Sequence, residues 1–130
     1  MSRIYGIGID IEEIARFEEL TGKWGRRFEE KVYTAEEIAY CAQKTRPPQH
    51  FAARFAAKEA FAKAIGTGWT GAFRWNDVEV RNDPAGKPEL QLHNTLREKF
   101  GHMRVQLSIS HSGAYVAAMV VIEDSDESSN

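Results

Sequence analysis

The chain has one cysteine, Cys41, in 130 residues. No disulfide can form within it, and that usage fits a reducing compartment. Positive charge is not in excess either: 17 Lys and Arg stand against 19 Asp and Glu, for a formal net charge of −2. A general nucleic-acid binder would carry a strong basic surplus, so no nucleic-acid partner is expected. No apolar run approaches the roughly 20 residues needed to cross a bilayer. Met1-Ser2-Arg3-Ile4-Tyr5 leads straight into a regular pattern, with no apolar signal-peptide segment. The expected setting is cytoplasmic and soluble, with no membrane contact. No Gly-x-Ser-x-Gly elbow is present. His50, His93 and His102 lack metal-like spacing, which argues against zinc.

Against those absences, 42% of the residues are hydrophobic and 28% charged, enough for a core under a soluble surface. A single domain is expected over residues 1–123. Residues 124–130 have nothing to bury and read as a disordered acidic tail.

The alternation over 4–11 predicts a strand with Ile7, Ile9 and Ile11 on one face. Gly6 and Gly8 leave the other face bare for close approach of something else. A helix is expected from about residue 11, with Ile14, Phe17 and Leu20 inward, then a short helical piece over 24–32. Thr34-Ala35-Glu36-Glu37 has the spacing of a capping box opening the next helix. Arg46-Pro47-Pro48 is expected to break the chain. Residues 49–65, alanine-rich and free of Gly and Pro, predict the longest helix, stopped by Gly66 and Gly68. Strands are expected over 75–81 and 88–92 around a Pro84/Gly86 turn, and a helix over 94–100. Two more strands follow, over 105–110 and 114–122, the last apolar on both faces and so central and doubly covered.

Asp10 has two readings. With Glu13 three residues on, it can cap the following helix; beside two glycines, it can also be a metal or phosphate-site carboxylate. On the long helix, placing residues at about 100° steps gathers Phe51, Phe55, Phe61 and Ile65 in one apolar arc. Arg54 and Lys58 fall inside that arc. Glu59 and Lys63 lie at its edge, beside Ala52 and Ala56, whose small side chains leave room for a ligand. The plainer readings are stems that snorkel from a core and an ordinary i,i+4 surface pair. Ser110 and His111 end a strand, where neighbours point to opposite faces; His111 is a ligand contact or a solvated turn residue. Arg16, Lys23, Arg26 and Arg27 form either a solvated face or a dock for an acidic partner.

Three segments together carry a resemblance: Gly6-Ile-Gly-Ile-Asp10-Ile-Glu-Glu-Ile, Arg54-Phe-Ala-Ala-Lys-Glu59-Ala-Phe-Ala-Lys63-Ala-Ile-Gly66-Thr-Gly68, and Leu107-Ser-Ile-Ser-His111. With the Gly86-Lys87-Pro88 turn, they resemble the holo-[acyl-carrier-protein] synthases, small phosphopantetheinyl transferases, over nearly the whole chain. The resemblance implies an α+β fold, an antiparallel sheet with a long helix packed on it, assembling as a homotrimer with sites between subunits. It implies transfer of the phosphopantetheine arm of coenzyme A to a serine of apo acyl carrier protein, in fatty-acid biosynthesis. It further implies that Asp10 and Glu59 bind magnesium and that Lys63 contacts the pyrophosphate, with Glu59 and Lys63 as catalytic groups. Coenzyme A contacts map onto Arg54, Lys58, Lys63, Gly66, Lys87, Pro88, Ser110 and His111. Arg16, Arg26 and Arg27 become the expected carrier-protein dock.

Overall fold

The computed structural model describes residues 2–66 and 74–125. Its elements run β1 (Ser2–Glu13), α1 (Ile14–Leu20), α2 (Arg26–Val32), α3 (Ala35–Ala42) and α4 (Pro47–Ile65). A 3-10 turn (Trp75–Asp77) follows, then β2 (Val78–Asn82), β3 (Pro88–Leu92), α5 (Asn94–Phe100), β4 (Arg104–Ser112) and β5 (Tyr115–Ser125). Three strands form an antiparallel sheet in the order β1-β5-β4, and β2 and β3 form a separate hairpin. The fold is α+β, as expected.

The bare face of β1 meets α4. A Cβ at Gly6 or Gly8 would run into the carbonyl oxygens of Ala64 and Ala60, so the two glycines let a helix backbone lie directly on the strand. The alanines of α4 do the same from the other side. Ala56, Ala57, Ala60 and Ala64 pack with Phe61, Val78, Leu107, Val120 and Ile122 in one core, and Ala52, Phe51 and Phe55 join Ile14, Phe17, Tyr33 and Cys41 in another. The space expected for a ligand at Ala52 and Ala56 is therefore filled by protein; both are fully buried.

Several boundaries differ from expectation for local reasons. Strand pairing with β5 carries β1 as far as Glu13, so the helix starts three residues later than its periodicity suggests. Pro47 and Pro48 occupy the first positions of α4 instead of ending an element, because a first-turn amide has no intrahelical acceptor to lose. Gly66 closes α4 at φ 81, a left-handed cap that costs glycine little; Gly68 lies outside the described residues. Residues 75–77 form the 3-10 turn, leaving only 78–82 as strand. The capping box is present: Thr34 Oγ1 accepts from Glu37 N, and Glu37 Oε1 accepts from Thr34 N.

β5 is the central strand, but within one chain it is covered on one face only. On the other, Ile4, Ile7, Ile9 and Ile11 are more than half exposed, and Tyr115 and Met119 nearly half. Its pairing extends to Ser125; residues 126–130 of the expected tail lie outside the described residues.

Candidate active site

Because β1 continues past Asp10, the aspartate is a strand residue and not a helix cap; Glu13 holds the N-cap position of α1 and makes no side-chain cap bond. Alternation places Gly8, Asp10 and Glu12 on the face that meets α4. Lys63, near the end of α4, reaches across and donates to Asp10 Oδ1 at 3.1 Å and to the Ile9 carbonyl at 2.9 Å. The other oxygen, Asp10 Oδ2, is buried with no hydrogen-bond partner. A buried acceptor left that way costs free energy unless a proton on the neighbouring Glu12 or a ligand meets it.

Glu12 sits beside it, buried, and accepts from Arg16 Nη1 at 3.0 Å. Burial pushes its carboxyl up to about 8, and the hydrogen bond and like charge of Asp10 push the same way; Arg16 pulls down, and half-buried Glu59 adds a further upward push. Asp10, Glu12 and Glu59 thus place three carboxyl groups together, that of Glu12 largely protonated near neutral pH, with Lys63 and Arg16 at the rim. Hard oxygen donors with one orphan acceptor suit magnesium, which uses one or two carboxylates and keeps its other positions for water and phosphate. Among the described residues no group of three or more His, Cys, Asp or Glu is placed to hold a metal ion by itself.

Sheet register places a second group nearby. Glu12 pairs with Val116 and Val116 with His111, while Asp10 pairs with Ala118 and Ala118 with Ile109. Directly paired residues share a face, and strands lie about 4.8 Å apart. The backbone of His111 is therefore about 10 Å from that of Glu12 along one row. His111 borders a cavity of about 210 Å³ with Tyr40, His50, Arg54, Asn82, Pro88 and Ile109. Arg54 is buried; its guanidinium lies 4.0 Å over the Tyr40 ring and donates from Nη2 to Asn82 Oδ1 at 2.9 Å. Its Nε is buried without a partner. Burial lowers the pKa of His50, and Lys44, Arg54 and His111 lower it further, so the surroundings of the cavity are cationic.

The structure thus gathers Asp10, Glu59 and Lys63 at one centre and Arg54, Pro88 and His111 at another. Lys58 belongs to neither. It is fully buried and donates to Glu37 Oε1 at 2.8 Å, Trp75 O at 3.1 Å and Val78 O at 2.6 Å. Three internal partners leave its ammonium no face for a ligand, so its reading as a coenzyme contact gives way to a structural one. Ser110 shares the opposite face of the sheet with Ile11 and Ala117, away from the Arg54 cavity of its own chain. Lys87 is exposed on the β2–β3 turn, its backbone N bonded to Asp83 Oδ1 at 2.8 Å. Gly66 is exposed at the end of α4. Arg16 is exposed on α1, and Arg26 and Arg27 on α2; Phe17 and Phe28, 6.2 Å apart, join the two helices.

The sequence matches the family model of the 4′-phosphopantetheinyl transferase superfamily over residues 6–120. The chain belongs to that superfamily. A holo-[acyl-carrier-protein] synthase of Geobacter sulfurreducens is 49% identical over 123 residues, covering 92% of this chain and 98% of that protein. The crystal structure of the holo-[acyl-carrier-protein] synthase of Neisseria meningitidis superposes with a TM-score of 0.84 at 42% identity, over 94% of this chain and all of that one. A Bacillus anthracis synthase solved in complex with CoA (3′,5′-ADP) gives 0.78 at 40%, over 94% and 98%.

In this phosphopantetheinyl transferase, sequence reasoning overlooked Glu12, Glu37, Tyr40, His50 and Asn82. Glu12 was within reach, since a strand extended by two residues puts it on the face of Asp10. Glu37 was read only as half of a capping box, and nothing local marks it as the counter-ion of Lys58, 21 residues away. Tyr40, His50 and Asn82 meet only through the packing of α3, α4 and the hairpin.

Proposed function

We propose that this protein is a magnesium-dependent holo-[acyl-carrier-protein] synthase. It moves the 4′-phosphopantetheine arm of coenzyme A onto a serine of apo acyl carrier protein and releases adenosine 3′,5′-bisphosphate. The observation that carries the reading is the pairing of Lys63 with Asp10, whose second oxygen is buried and unpartnered, in a chain of this superfamily. A new P–O bond forms to the serine oxygen, one P–O bond of the pyrophosphate breaks, and the serine proton must leave. Glu59 is the proposed proton acceptor. Lys63 offers a positive charge to the leaving oxygen. Asp10 and Glu59 would hold magnesium, which when bound would offset charge on the pyrophosphate. Arg54 and His111 take the anionic end of coenzyme A, consistent with the unpartnered Nε and the cationic cavity; Lys87, Pro88 and Gly66 complete the coenzyme contacts.

The exposed apolar face of Ile4, Ile7, Ile9, Ile11, Tyr115 and Met119 supports a homotrimer, since contiguous apolar surface of this kind usually covers an interface. That assembly places Ser110, on the same face, against a neighbouring copy. Arg16, Arg26 and Arg27 dock the acidic carrier protein, and the enzyme works in the cytoplasm.

The test is mass spectrometry of apo acyl carrier protein incubated with the enzyme, coenzyme A and magnesium. The carrier should gain the mass of one phosphopantetheine arm, and no gain on a competent carrier would sink the reading. Sedimentation should give a trimer that Ile9→Asp disperses.

A further inference from the structure

The side chain of Asn82 joins two parts of the Arg54 cavity that have no covalent proximity. Its Oδ1 accepts from Arg54 Nη2 at 2.9 Å, and its Nδ2 donates to the Gly86 carbonyl at 3.0 Å. One amide thereby holds a guanidinium on α4 and the turn from which Lys87 and Pro88 extend. The amide is suited to this task because it offers an acceptor and a donor at once; neither aspartate nor leucine would supply both.

The strand that carries Asn82 is itself tied down. Lys58 holds the Val78 carbonyl, and Glu37 Oε2 accepts from Val80 N at 2.8 Å. The start of β2 is thus fixed to α4 and α3, and Asn82 at its end faces Arg54 in consequence. Arg54 is held on one side by Asn82, and its face lies over Tyr40. A long, flexible side chain constrained on two sides loses little freedom when a ligand arrives, which favours binding. Its Nε, buried and unpartnered, remains for that ligand.

We propose that Asn82 is a positioning residue for the donor site, setting the Arg54 guanidinium against the turn that presents Lys87 and Pro88. It rests on the reading of this cavity as the coenzyme A site. Asn82 acts through Arg54, so its effect falls on donor binding and not on the transfer step. It also separates two functions that adjacent charged residues would merge: Arg54 supplies charge and Asn82 supplies direction.

The test uses the full chain with Asn82→Ala, Arg54→Ala and the double variant. Steady-state transfer to apo acyl carrier protein gives KM for coenzyme A and kcat, and calorimetry with adenosine 3′,5′-bisphosphate reads binding without chemistry. Asn82→Ala should raise KM and weaken bisphosphate binding by about tenfold, the scale of one charge-assisted hydrogen bond, with kcat within about twofold. In the Arg54→Ala background the same change should add less than about twofold, since the residue it acts through is gone. Asn82→Ser, which keeps a short acceptor, should recover part of the loss, and serves in place of alanine if that variant does not fold. Unchanged KM, a fall confined to kcat, or full multiplicative effects in the double variant would overturn the inference while leaving the coenzyme A site intact. If the unaltered protein binds neither coenzyme A nor the bisphosphate, the underlying reading fails along with it.

Discussion

Lys63 Nζ lies 3.1 Å from Asp10 Oδ1 although 53 residues separate them in the chain. The contact exists because Gly6 and Gly8 let α4 lie on β1 backbone to backbone. It brings the cation and the carboxylate of the proposed reaction into one place, and makes both positions sensitive to the packing behind them.

Replacing Asp10 or Glu59 by alanine should reduce transfer by on the order of 10²-fold or more, the cost of one group that stabilises a transition state. Rates of carrier modification across a magnesium titration measure this. Variants that keep full activity at every magnesium concentration would exclude the metal assignment and leave the fold untouched.

Gly8→Ala adds a methyl group where the Ala60 carbonyl already stands. Overpacking of this kind costs about 1–3 kcal/mol, and here the strand and helix that carry Asp10 and Lys63 must part to relieve it. Activity should fall with stability, read by denaturant unfolding alongside the transfer assay.

Glu37→Gln strips the counter-ion from Lys58, whose ammonium is fully buried. Breaking one side of a buried pair costs about 3–5 kcal/mol. Burial already lowers the Lys58 pKa, and Glu37 is what opposes that. Glu37→Gln/Lys58→Met removes the unpaired charge and keeps an acceptor at position 37, so it should recover part of the loss, while Trp75 O and Val78 O still lack a donor. Urea midpoints of the three proteins decide it; a double variant no better than the single would refute the account.

Glu79 gives a pH dependence. Burial alone would raise its pKa, but hydrogen bonds from His93 at 2.9 Å and Thr34 Oγ1 at 2.8 Å, with Arg81 alongside, bring it below the ordinary 4.5. A carboxylate whose folded pKa is depressed stabilises the protein above its unfolded value, and that stability is lost as pH falls through the folded one. Melting temperature should therefore drop below pH 4.5, and Glu79→Gln should begin lower and fall less steeply over the same range.

Arg16→Ala and Arg27→Ala should weaken binding of apo acyl carrier protein at low salt, and the difference should shrink toward 1 M salt, where the screening length is about 3 Å. Arg16 also holds Glu12 at 3.0 Å, so its variant should lose turnover as well as affinity. Titrations by fluorescence anisotropy at several ionic strengths separate the two effects.

Local patterns were legible where the cause is local. The capping box at Thr34, the alanine-rich α4 with its Gly66 stop, the alternation of β1 and the Pro88–Leu92 strand follow from neighbours a few residues apart, and the structure has them. Errors fell where tertiary contact overrides the pattern. β1 runs to Glu13 because β5 supplies partners, and of the two readings of Asp10 that extension removes the helix cap and leaves the carboxylate facing α4. For Lys58, inside an apolar arc, periodicity leaves open a ligand or the protein interior, and Glu37 and two carbonyls hold it within the protein.

The motif around Asp10, Glu59 and Lys63 was therefore determined by the sequence alone, in residue type and spacing, and with it the family. Which charges face one another was not. Helix periodicity places a side chain on an arc but says nothing of what lies across from it, and desolvation, register and opposing backbone are properties of the assembled fold. Only the tertiary structure divided three basic residues of one helix into different roles: Lys63 against Asp10, Arg54 at the cavity with Asn82, and Lys58 in the interior.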